Sequence, residues 1–568
     1  MNLGWIEDVA PGVQAARTYQ RQWLRADVVA GLVLAAILVP QGMAYAELAG
    51  LPAVTGLYTT IACLIGYALF GPSRVLVLGP DSSISPLIFA AITPLVVAGD
   101  DPGKAIALAG MLALLVGLIE IGLGIGKLGF VADLLSSEVQ VGYMNGLAIT
   151  IIVGQLPKLF GYSTEADTFA GEIRAFVESL DQTVAGALLI GLAVLVTLLV
   201  LPRITTRIPA VLVAVIGATA VSALLDLSAG GVATVGALPS GFPTPALPWT
   251  SLQDVGPLAI AAVGITLVSL TDTIATASSF AARRGEEVEP NQEMIGMGAA
   301  NATAGLVQGF AVSGSASRTA AVEGAGGSSQ MVSLIAAVLV LVTAAFLTPL
   351  FTDLPEPVLG AIVVVAVRGF LRTEPLVRYW RLDRRSFWTA TTALLGTLVF
   401  DLLPGLLIAV ALSLVWFIGA ASRVRLAVLG RLPDTGRYGD LIDHPDATTV
   451  PGLLLVRPDG PLFFANANPL RLGVLQLVRT AAPPPRVVVL DLSSSFRLSL
   501  PTLDILAELH DELQQRGIAL WLARIRSSAM AELQASGLFD RLSPTQLHAT
   551  VEDAVRAHTN SDRQSPSQ

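Results

Sequence analysis

The sequence predicts a polytopic α-helical membrane protein followed by a small soluble α/β domain. Of the 568 residues, 53% are hydrophobic and only 14% are charged, with a mean hydropathy of +0.69; soluble domains carry about 25% charged residues. Apolar stretches of about the 20 residues needed to cross a bilayer recur from residue 27 to about residue 422. After about residue 430, charge density rises and short apolar runs replace the long ones. Most of the chain is therefore expected to face lipid.

The apolar part divides into fourteen predicted transmembrane segments. Gly, Pro, Ser or charged residues interrupt the third and the tenth, which is typical of half-helices that end inside a membrane. The segments are roughly 27–48, 53–71, 80–98, 103–126, 130–156, 182–202, 208–226, 255–281, 292–310, 314–326, 329–352, 356–372, 385–403 and 404–422.

The distribution of basic residues predicts the orientation, because Lys and Arg in short loops mark the cytoplasmic side. With the N-terminus inside, the pair Arg283 and Arg284 and the arginines between 372 and 385 fall on the cytoplasmic side. Loop 227–252, which contains neither Lys nor Arg, falls outside. We therefore expect both termini to be cytoplasmic.

Composition also predicts the domain boundaries. We expect a cytoplasmic segment at 1–25, a transmembrane domain at 26–425, a soluble domain at 440–556 and a disordered tail at 557–568. The transmembrane domain contains two repeats, at about 26–226 and 255–422. In the soluble part, buried strands are predicted at 452–456 and 486–492, and helices at 468–480, 501–516 and 527–537.

Several function classes conflict with the composition. Cys63 is the only cysteine and all four histidines lie after residue 440, so a disulfide framework, a Cys or His metal site and a histidine proton relay in the apolar part are excluded. A net charge of −9 argues against nucleic acid as a partner. Neither a phosphate-binding loop nor a nucleophile with its base is visible. We expect no enzyme activity and no cofactor, except H⁺ or Na⁺ as a coupling ion.

The two interrupted segments predict an anion site. Ser82 and Ser83 follow the Gly79-Pro80 break, and Ser315 and Ser317 follow a similar break in the second half. Hydroxyls and free N–H groups at a helix N-terminus bind anions. One such break in each half is the pattern of inverted repeats whose half-helices meet near the midplane. Close helix packing without a ligand is the alternative.

Three further residues are candidates for the same site. Gln41 and Tyr45 are four apart and share one helical face, although both are also compatible with ordinary helix packing and an interfacial position. Arg318 lies in an apolar region, where a guanidinium faces a partner or a watery cavity. Beside a helix N-terminus it is expected to make the site doubly positive. A structural pair with Asp272 or Glu323 is the alternative.

Asp272 is the candidate for ion coupling. It is the only charged residue between Leu258 and Ala282, and Thr271, Thr273 and Thr276 flank it. Such a carboxylate could coordinate Na⁺ or take up a proton, or could simply be held by its neighbours. Metal binding is expected only in the form of Na⁺ at Asp272, with Thr276. Glu120 and Glu47 are weaker candidates that could reach the interface.

The chain resembles the sulfate-permease family of anion transporters. The resemblance rests on Asp27 to Tyr58, on Gly79-Pro80, on Phe280 to Asn301 and on Ser317-Arg318-Thr319, and Pro-Leu-Phe-Phe-Ala-Asn-Ala at 461–467 resembles the family's STAS domain. It implies seven-plus-seven inverted repeats, core and gate domains, an anion between segments three and ten, and frequent dimers. Gln41, Tyr45, Ser83, Ser317 and Arg318 match its anion-site positions, and Asp272 its coupling position.

The expected function is secondary active transport of a small anion, coupled to H⁺ or Na⁺. Sulfate is the first expectation, and bicarbonate or a dicarboxylate the next. The alternatives are an anion channel or an uncoupled exchanger, a uracil- or xanthine-type permease, and a membrane-anchored sensor. The expected location is a bacterial inner membrane, and the expected partners are lipid, a second copy and a cytoplasmic protein at the STAS domain. Where STAS domains often carry a phosphorylatable Asp-Ser turn, this chain has Ser499 and Leu500. This departure argues against the same phosphorylation control and leaves Ser499 and Thr502 as the hydroxyls open to modification.

Overall fold

The computed structural model describes residues 10–96, 102–133, 136–164, 166, 168–205, 209–400, 402–433 and 437–564. The chain forms two compact units, Met1–Ser413 and Leu414–Gln568. The first is helical and the second is built around a β-sheet.

Each of the fourteen predicted apolar segments contains a helix. In chain order these helices are α2 (Leu24–Leu48), α3 (Ala53–Phe70), α4 (Ser85–Ile92), α5 (Pro102–Ile125), α6 (Ser137–Phe160), α8 (Ala185–Ile204), α9 (Ala210–Leu225), α10 (Leu252–Arg284), α11 (Pro290–Gly305), α12 (Ala316–Gly324), α13 (Met331–Val342), α14 (Glu356–Val367), α16 (Arg384–Phe400) and α17 (Leu402–Ala421).

The helices differ in length, and α4 and α12 are the shortest of the fourteen. Among the described residues, eight helical stretches are long and apolar enough to cross a membrane. Helices α4 and α12, in the third and tenth segments, have only eight and nine residues. The prediction that these two segments are interrupted is confirmed, whereas a total of fourteen crossings stays a prediction.

Three helices lie outside the predicted segments: α1 (Pro11–Arg17), α7 (Phe169–Glu178) and α15 (Thr373–Leu382). Helix α1 packs against the end of α3 so closely that a Cβ on Gly12 would lie 1.9 Å from the carbonyl oxygen of Ala68. The Tyr19 hydroxyl also donates to Asp27 at 3.2 Å. The described part of the predicted cytoplasmic segment is therefore tied to the helical unit, while residues 1–9 lie outside the described residues.

The helices pack in two groups. One contains α2, α3, α4, α5, α10, α11, α12 and α13, and the other contains α6, α8, α9, α14 and α16. Small residues allow close approach within each group. A Cβ on Gly117 of α5 would lie 2.6 Å from the carbonyl oxygen of Gly298 on α11, and one on Gly142 of α6 would lie 2.0 Å from that of Ala390 on α16.

A buried polar network ties three helices of the first group to the second break. The Glu120 carboxylate accepts from the Ser269 hydroxyl at 2.7 Å and from Asn301 Nδ2 at 2.8 Å. Asn301 Oδ1 in turn accepts from the Val312 N–H at 2.7 Å. Glu120 is fully buried, so it does not reach the interface. Glu47 instead pairs with Lys158 at 3.0 Å.

The second unit is a six-stranded sheet in the order β4-β3-β5-β6-β7-β8. Strands β5 to β8 are parallel, and β3 is antiparallel to both of its neighbours. The predicted strands and helices are confirmed here. The strands are β3 (Leu426–Arg431), β4 (Tyr438–Asp440), β5 (Leu453–Pro458), β6 (Val487–Asp491), β7 (Ala519–Ala523) and β8 (Leu547–His548). The helices are α18 (Ala467–Thr480), α19 (Leu500–Gln515), α20 (Ser527–Ala535), α21 (Leu538–Arg541) and α22 (Val551–Gln564).

Two predicted boundaries of the soluble domain are wrong. Its sheet begins at β3, before residue 440, because β3 pairs with β5. The tail predicted to be disordered from residue 557 is helical to Gln564, because His558 is buried, contacts the Pro451 carbonyl oxygen at 3.1 Å and packs against Trp521. Residues 565–568 lie outside the described residues.

The turn before α19 is held by side chains. The Ser499 hydroxyl lies 2.9 Å from that of Thr502 at the start of α19, and Thr502 is fully buried while Ser499 is exposed. A modifying enzyme could therefore reach only Ser499 of the two. The Leu498 N–H and Arg497 bind Glu532 and lower the pKa of that carboxyl.

We predict that Asn301→Ala destabilises the helical unit, because it leaves the Val312 N–H and one Glu120 oxygen without their partner. The expected loss is about 1–3 kcal/mol of unfolding free energy. Cys63, the only cysteine, is buried, so its reactivity with a thiol-specific dye during heating measures unfolding of this unit. Asn291→Ala is the control on the same helix, since the Asn291 side chain accepts from the partly exposed Gly129 N–H and not from a buried group among the described residues. Equal melting temperatures for the two variants would contradict the prediction.

Candidate functional site

The two broken segments meet in a short antiparallel ribbon. Strand β1 (Leu78–Gly79) precedes α4 and strand β2 (Ser313–Gly314) precedes α12, with Leu78 opposite Gly314 and Gly79 opposite Ser313. The Ser315 N–H donates to the Val77 carbonyl oxygen at 3.0 Å. The expectation that both half-helices start at a shared place is confirmed.

Side chains of neighbouring helices satisfy the backbone around this ribbon. The Thr273 hydroxyl on α10 accepts from the Gly314 N–H at 2.8 Å, and the Thr319 hydroxyl accepts from the Val77 N–H at 3.1 Å. Thr59 on α3 accepts from the Phe310 N–H at 3.1 Å. Unpaired backbone groups are costly in an apolar interior, so these hydroxyls allow an extended backbone between the buried helices.

Arg318 joins the two breaks. Its side chain is only 1% exposed. Nη1 donates to the Pro80 carbonyl oxygen at 2.5 Å, and Nη2 donates to the Gly79 carbonyl oxygen at 3.4 Å and to Asp81 Oδ2 at 3.3 Å. Nε has no hydrogen-bond partner among the described residues. The guanidinium of the second break thus binds the backbone and the carboxylate of the first.

Asp81 is the residue of this candidate site that sequence reasoning missed. Its Oδ1 accepts from the Ser83 N–H at 2.9 Å and from the Ser83 hydroxyl at 2.8 Å. The signal was present in Asp-Ser-Ser, because Asp often binds the backbone two residues on. The partner of Arg318 is therefore Asp81, and a pair with Asp272 or Glu323 is wrong. Glu323 faces Arg283 and Arg284 instead.

This ion pair changes the electrostatics expected for the site. A doubly positive centre requires an unopposed guanidinium, but the Arg318 charge faces the Asp81 carboxylate inside the protein. That expectation is wrong, since one positive and one negative group lie at the breaks. Among the described residues, no group of three or more His, Cys, Asp and Glu side chains could hold a metal ion.

Helix α2 brings Tyr45 to the breaks. Tyr45 is buried and lies near Ser82, Asp81 and Arg318. Gln41 lies one helical turn earlier and is half-buried. On the other break, the hydroxyls of Ser315 and Ser317 are 3.2 Å apart; Ser315 is buried and Ser317 is exposed.

Asp272 lies beside the residue that holds β2. It is half-buried, and no hydrogen bond or ion pair reaches its carboxylate from the described residues. Of its flanking hydroxyls, Thr271 donates to the Leu267 carbonyl oxygen at 2.7 Å and Thr273 binds β2. Thr276, one turn further on, is buried. Asp81 is near enough to repel a charge on Asp272, and Arg372 acts on it in the opposite sense.

A cavity of about 270 Å³ lies elsewhere in the helical unit. It is lined by Gly103 and Ile106 of α5, by Leu247 and Pro248 and by Gly305 and Gln308. None of the predicted site residues contributes to it.

Comparison with known proteins identifies the chain's relatives. Residues 24–393 match the model of the sulfate permease family, and residues 444–554 match that of the STAS domain. The chain belongs to the sulfate permease family. Membership places the two breaks and their ion pair in the membrane part of a family protein and the sheet unit in its STAS domain.

Relatives in the sulfate permease family span almost the whole chain. The protein named "Probable sulfate transporter" of Mycobacterium tuberculosis is 41% identical over 98% of both chains. The chloroplastic sulfate transporter 4.1 of Arabidopsis thaliana is 30% identical, over 98% of this chain and 83% of its own. Among solved structures, the murine Solute Carrier 26 family member A9 anion transporter in the inward-facing state has a TM-score of 0.90 at 25% identity, over 98% and 95% of the two chains.

We predict that Gly314→Ala disturbs the ribbon of this sulfate permease family member. A Cβ at Gly314 would lie 2.9 Å from the Thr273 side chain, so Thr273 would have to move from the Gly314 N–H. The expected destabilisation is about 1–3 kcal/mol, measured by the dye reactivity of Cys63 on heating. Gly324→Ala, at the end of the helix α12 that follows β2, is the control, because nothing lies within 4 Å of its added Cβ. A melting temperature equal to that of the control would show that the contact is not structural.

Proposed function

We propose that the protein is a secondary active transporter of small anions, with sulfate as its first substrate and bicarbonate or a dicarboxylate next. The anion binds at the β1–β2 ribbon, between the N-termini of α4 and α12, and a cation, H⁺ or Na⁺, accompanies it. The site comprises Gln41, Tyr45, Ser82, Ser83, Ser315, Ser317 and Arg318. Relatives named sulfate transporters support the substrate class.

The observation that carries the coupling is the charge balance at the breaks. The Arg318 charge is already opposed by Asp81, and Asp272 adds a second carboxylate nearby. An incoming anion therefore meets a centre without excess positive charge. Because like charges repel strongly in a low-dielectric interior, the anion needs a cation that neutralises a carboxylate. In this proposal Asp272 and Thr276 hold that cation.

Alternating access supplies the movement. The first helix group, which contains α4 and α12, carries both breaks and corresponds to the core. The second group, which packs around α6 and α14, corresponds to the gate. Because α4 and α12 both begin at the β1–β2 ribbon, they move as one body with the anion between them.

The protein acts in a bacterial inner membrane with both termini in the cytoplasm. It assembles as a homodimer, and its STAS domain offers a site to a cytoplasmic partner.

The competing functions differ in what they require. A channel or an uncoupled exchanger needs no coupling carboxylate such as Asp272. A uracil- or xanthine-type permease needs no guanidinium at the second break. Uptake of labelled sulfate, bicarbonate and fumarate into proteoliposomes, each with an imposed H⁺ or Na⁺ gradient, separates these functions. Gradient-driven uptake of one of these anions is the expected result, and uptake of uracil in place of all three would overturn the proposal.

We predict that replacing Arg318 reduces anion uptake by roughly 10- to 100-fold, the value of one charge-assisted hydrogen bond. Arg318→Ala also leaves Asp81 unpaired, which costs about 3–5 kcal/mol, so it needs two companions. Arg318→Lys keeps the charge but not the planar fork, and the double variant Arg318→Ala with Asp81→Asn leaves no unpaired charge. Unchanged uptake in both companions, with normal Cys63 melting, would place the anion site elsewhere.

We predict that Asp272→Asn reduces the stimulation of uptake by a cation gradient, because an amide neither takes up a proton at neutral pH nor attracts Na⁺ as a carboxylate does. Initial rates with and without the gradient measure the effect. Asp254→Asn, in the first turn of the same helix, is the matched control and should retain the stimulation. A variant at Asp272 that responds to the gradient like the wild type would remove Asp272 from the coupling mechanism.

A further inference from the structure

The Asp81 carboxylate occupies the donors that an anion would use at the first break. It binds Arg318 Nη2 at 3.3 Å through Oδ2, and the Ser83 N–H and hydroxyl at 2.9 and 2.8 Å through Oδ1. A guanidinium N–H, a backbone N–H preceding a helix and a hydroxyl are the groups that bind oxyanions in proteins. Asp81 is thus bonded as an oxyanion substrate would be.

We propose that Asp81 is a built-in surrogate of the substrate: it holds Arg318 and Ser83 in the empty carrier and takes up one proton when the anion displaces it. This proposal rests on the proposed function and assigns one proton of the transport cycle to a residue of the first break. No bond other than the O–H bond of the carboxyl is formed or broken.

Electrostatic repulsion requires that Asp81 is protonated when the anion takes its place. An anion that binds Arg318 lies within a few ångströms of Asp81, and two negative groups at that distance in a buried site cannot both stay ionised without a large cost. Protonated Asp81 no longer repels the anion. Arg318 also has one unused hydrogen-bond donor, because its buried Nε has no hydrogen-bond partner among the described residues. The guanidinium can therefore bind an anion while it stays on the Pro80 carbonyl oxygen.

The neighbours of Asp81 distinguish it from the other acidic residue of the site. Arg318 faces it from α12, Tyr45 from α2 and Asp272 from α10. Only Asp81 shares its donors with the incoming anion, since no donor among the described residues reaches Asp272. The anion therefore competes directly with Asp81 for these donors, whereas it affects Asp272 only by electrostatic repulsion over a longer distance.

The test is equilibrium binding of radiolabelled sulfate to the purified full-length protein between about pH 5.5 and 8, where sulfate itself does not titrate. If one proton is taken up with each sulfate, the affinity of the wild type falls by up to about tenfold per unit rise in pH. Asp81→Asn is expected to bind sulfate independently of pH and, at pH 8, about tenfold or more tightly than the wild type. Glu323→Gln, which removes a carboxyl bound to Arg283 and Arg284 on the same helix as Arg318, should keep the pH dependence.

A second measurement covers failure of the Asn variant to fold, which the dye reactivity of Cys63 would detect. Sulfate added to the wild type in weakly buffered solution near pH 7 should remove up to about one proton per bound anion from solution, and Asp272→Asn should do the same. The absence of proton uptake overturns the proposal, as does an Asp81→Asn variant that keeps the pH dependence while Asp272→Asn loses it. If the wild type binds sulfate with a pH-independent affinity, the proposed function stands and only the role of Asp81 is overturned. If it binds no sulfate at any pH, both fail.

Discussion

The structure depends on satisfying an interrupted backbone at the depth of the membrane. Neither α4 nor α12 continues backward as a helix, so the residues before them need hydrogen-bond partners from elsewhere. The β1–β2 ribbon supplies some, and the hydroxyls of Thr59, Thr273 and Thr319 supply others. Asn301 extends the same support to the buried Glu120. Helices α3, α5, α10 and α11 are thus required around the breaks by hydrogen bonding as well as by apolar packing.

The ion pair across the ribbon gives this scaffold its chemistry. Arg318 comes from the second repeat and Asp81 from the first, so their contact exists only when both breaks are assembled. A guanidinium alone would favour any anion. When a carboxylate opposes the guanidinium, an anion binds favourably only if the negative charge of that carboxylate is neutralised. The packing of the two broken segments against each other and the proposed coupling of anion to cation then depend on the same pair of side chains.

The sheet unit is stabilised by different forces. Apolar side chains of its strands pack between helices on both faces, and an ion pair lies at the ends of the central strands β6 and β7. Arg524 binds the buried Asp491 carboxylate through Nε at 3.0 Å and Nη2 at 2.6 Å, which raises the pKa of Arg524. At the turn before α19, Ser499 is exposed but carries no neighbouring carboxylate in sequence.

The sequence by itself determined the helical class, the places of the fourteen apolar helices, the two interruptions and the main elements of the sheet domain. These follow from local properties: hydrophobic length, Gly and Pro at the breaks, and strand or helix periodicity. Only the tertiary structure decided that Arg318 faces Asp81, that Glu120 is buried in a network and that the last helix continues to Gln564, because each depends on a contact between residues distant in the chain. Arg318 and Asp81 are 237 residues apart. No periodicity or composition encodes such a pairing, since it exists only once the two repeats have folded against each other.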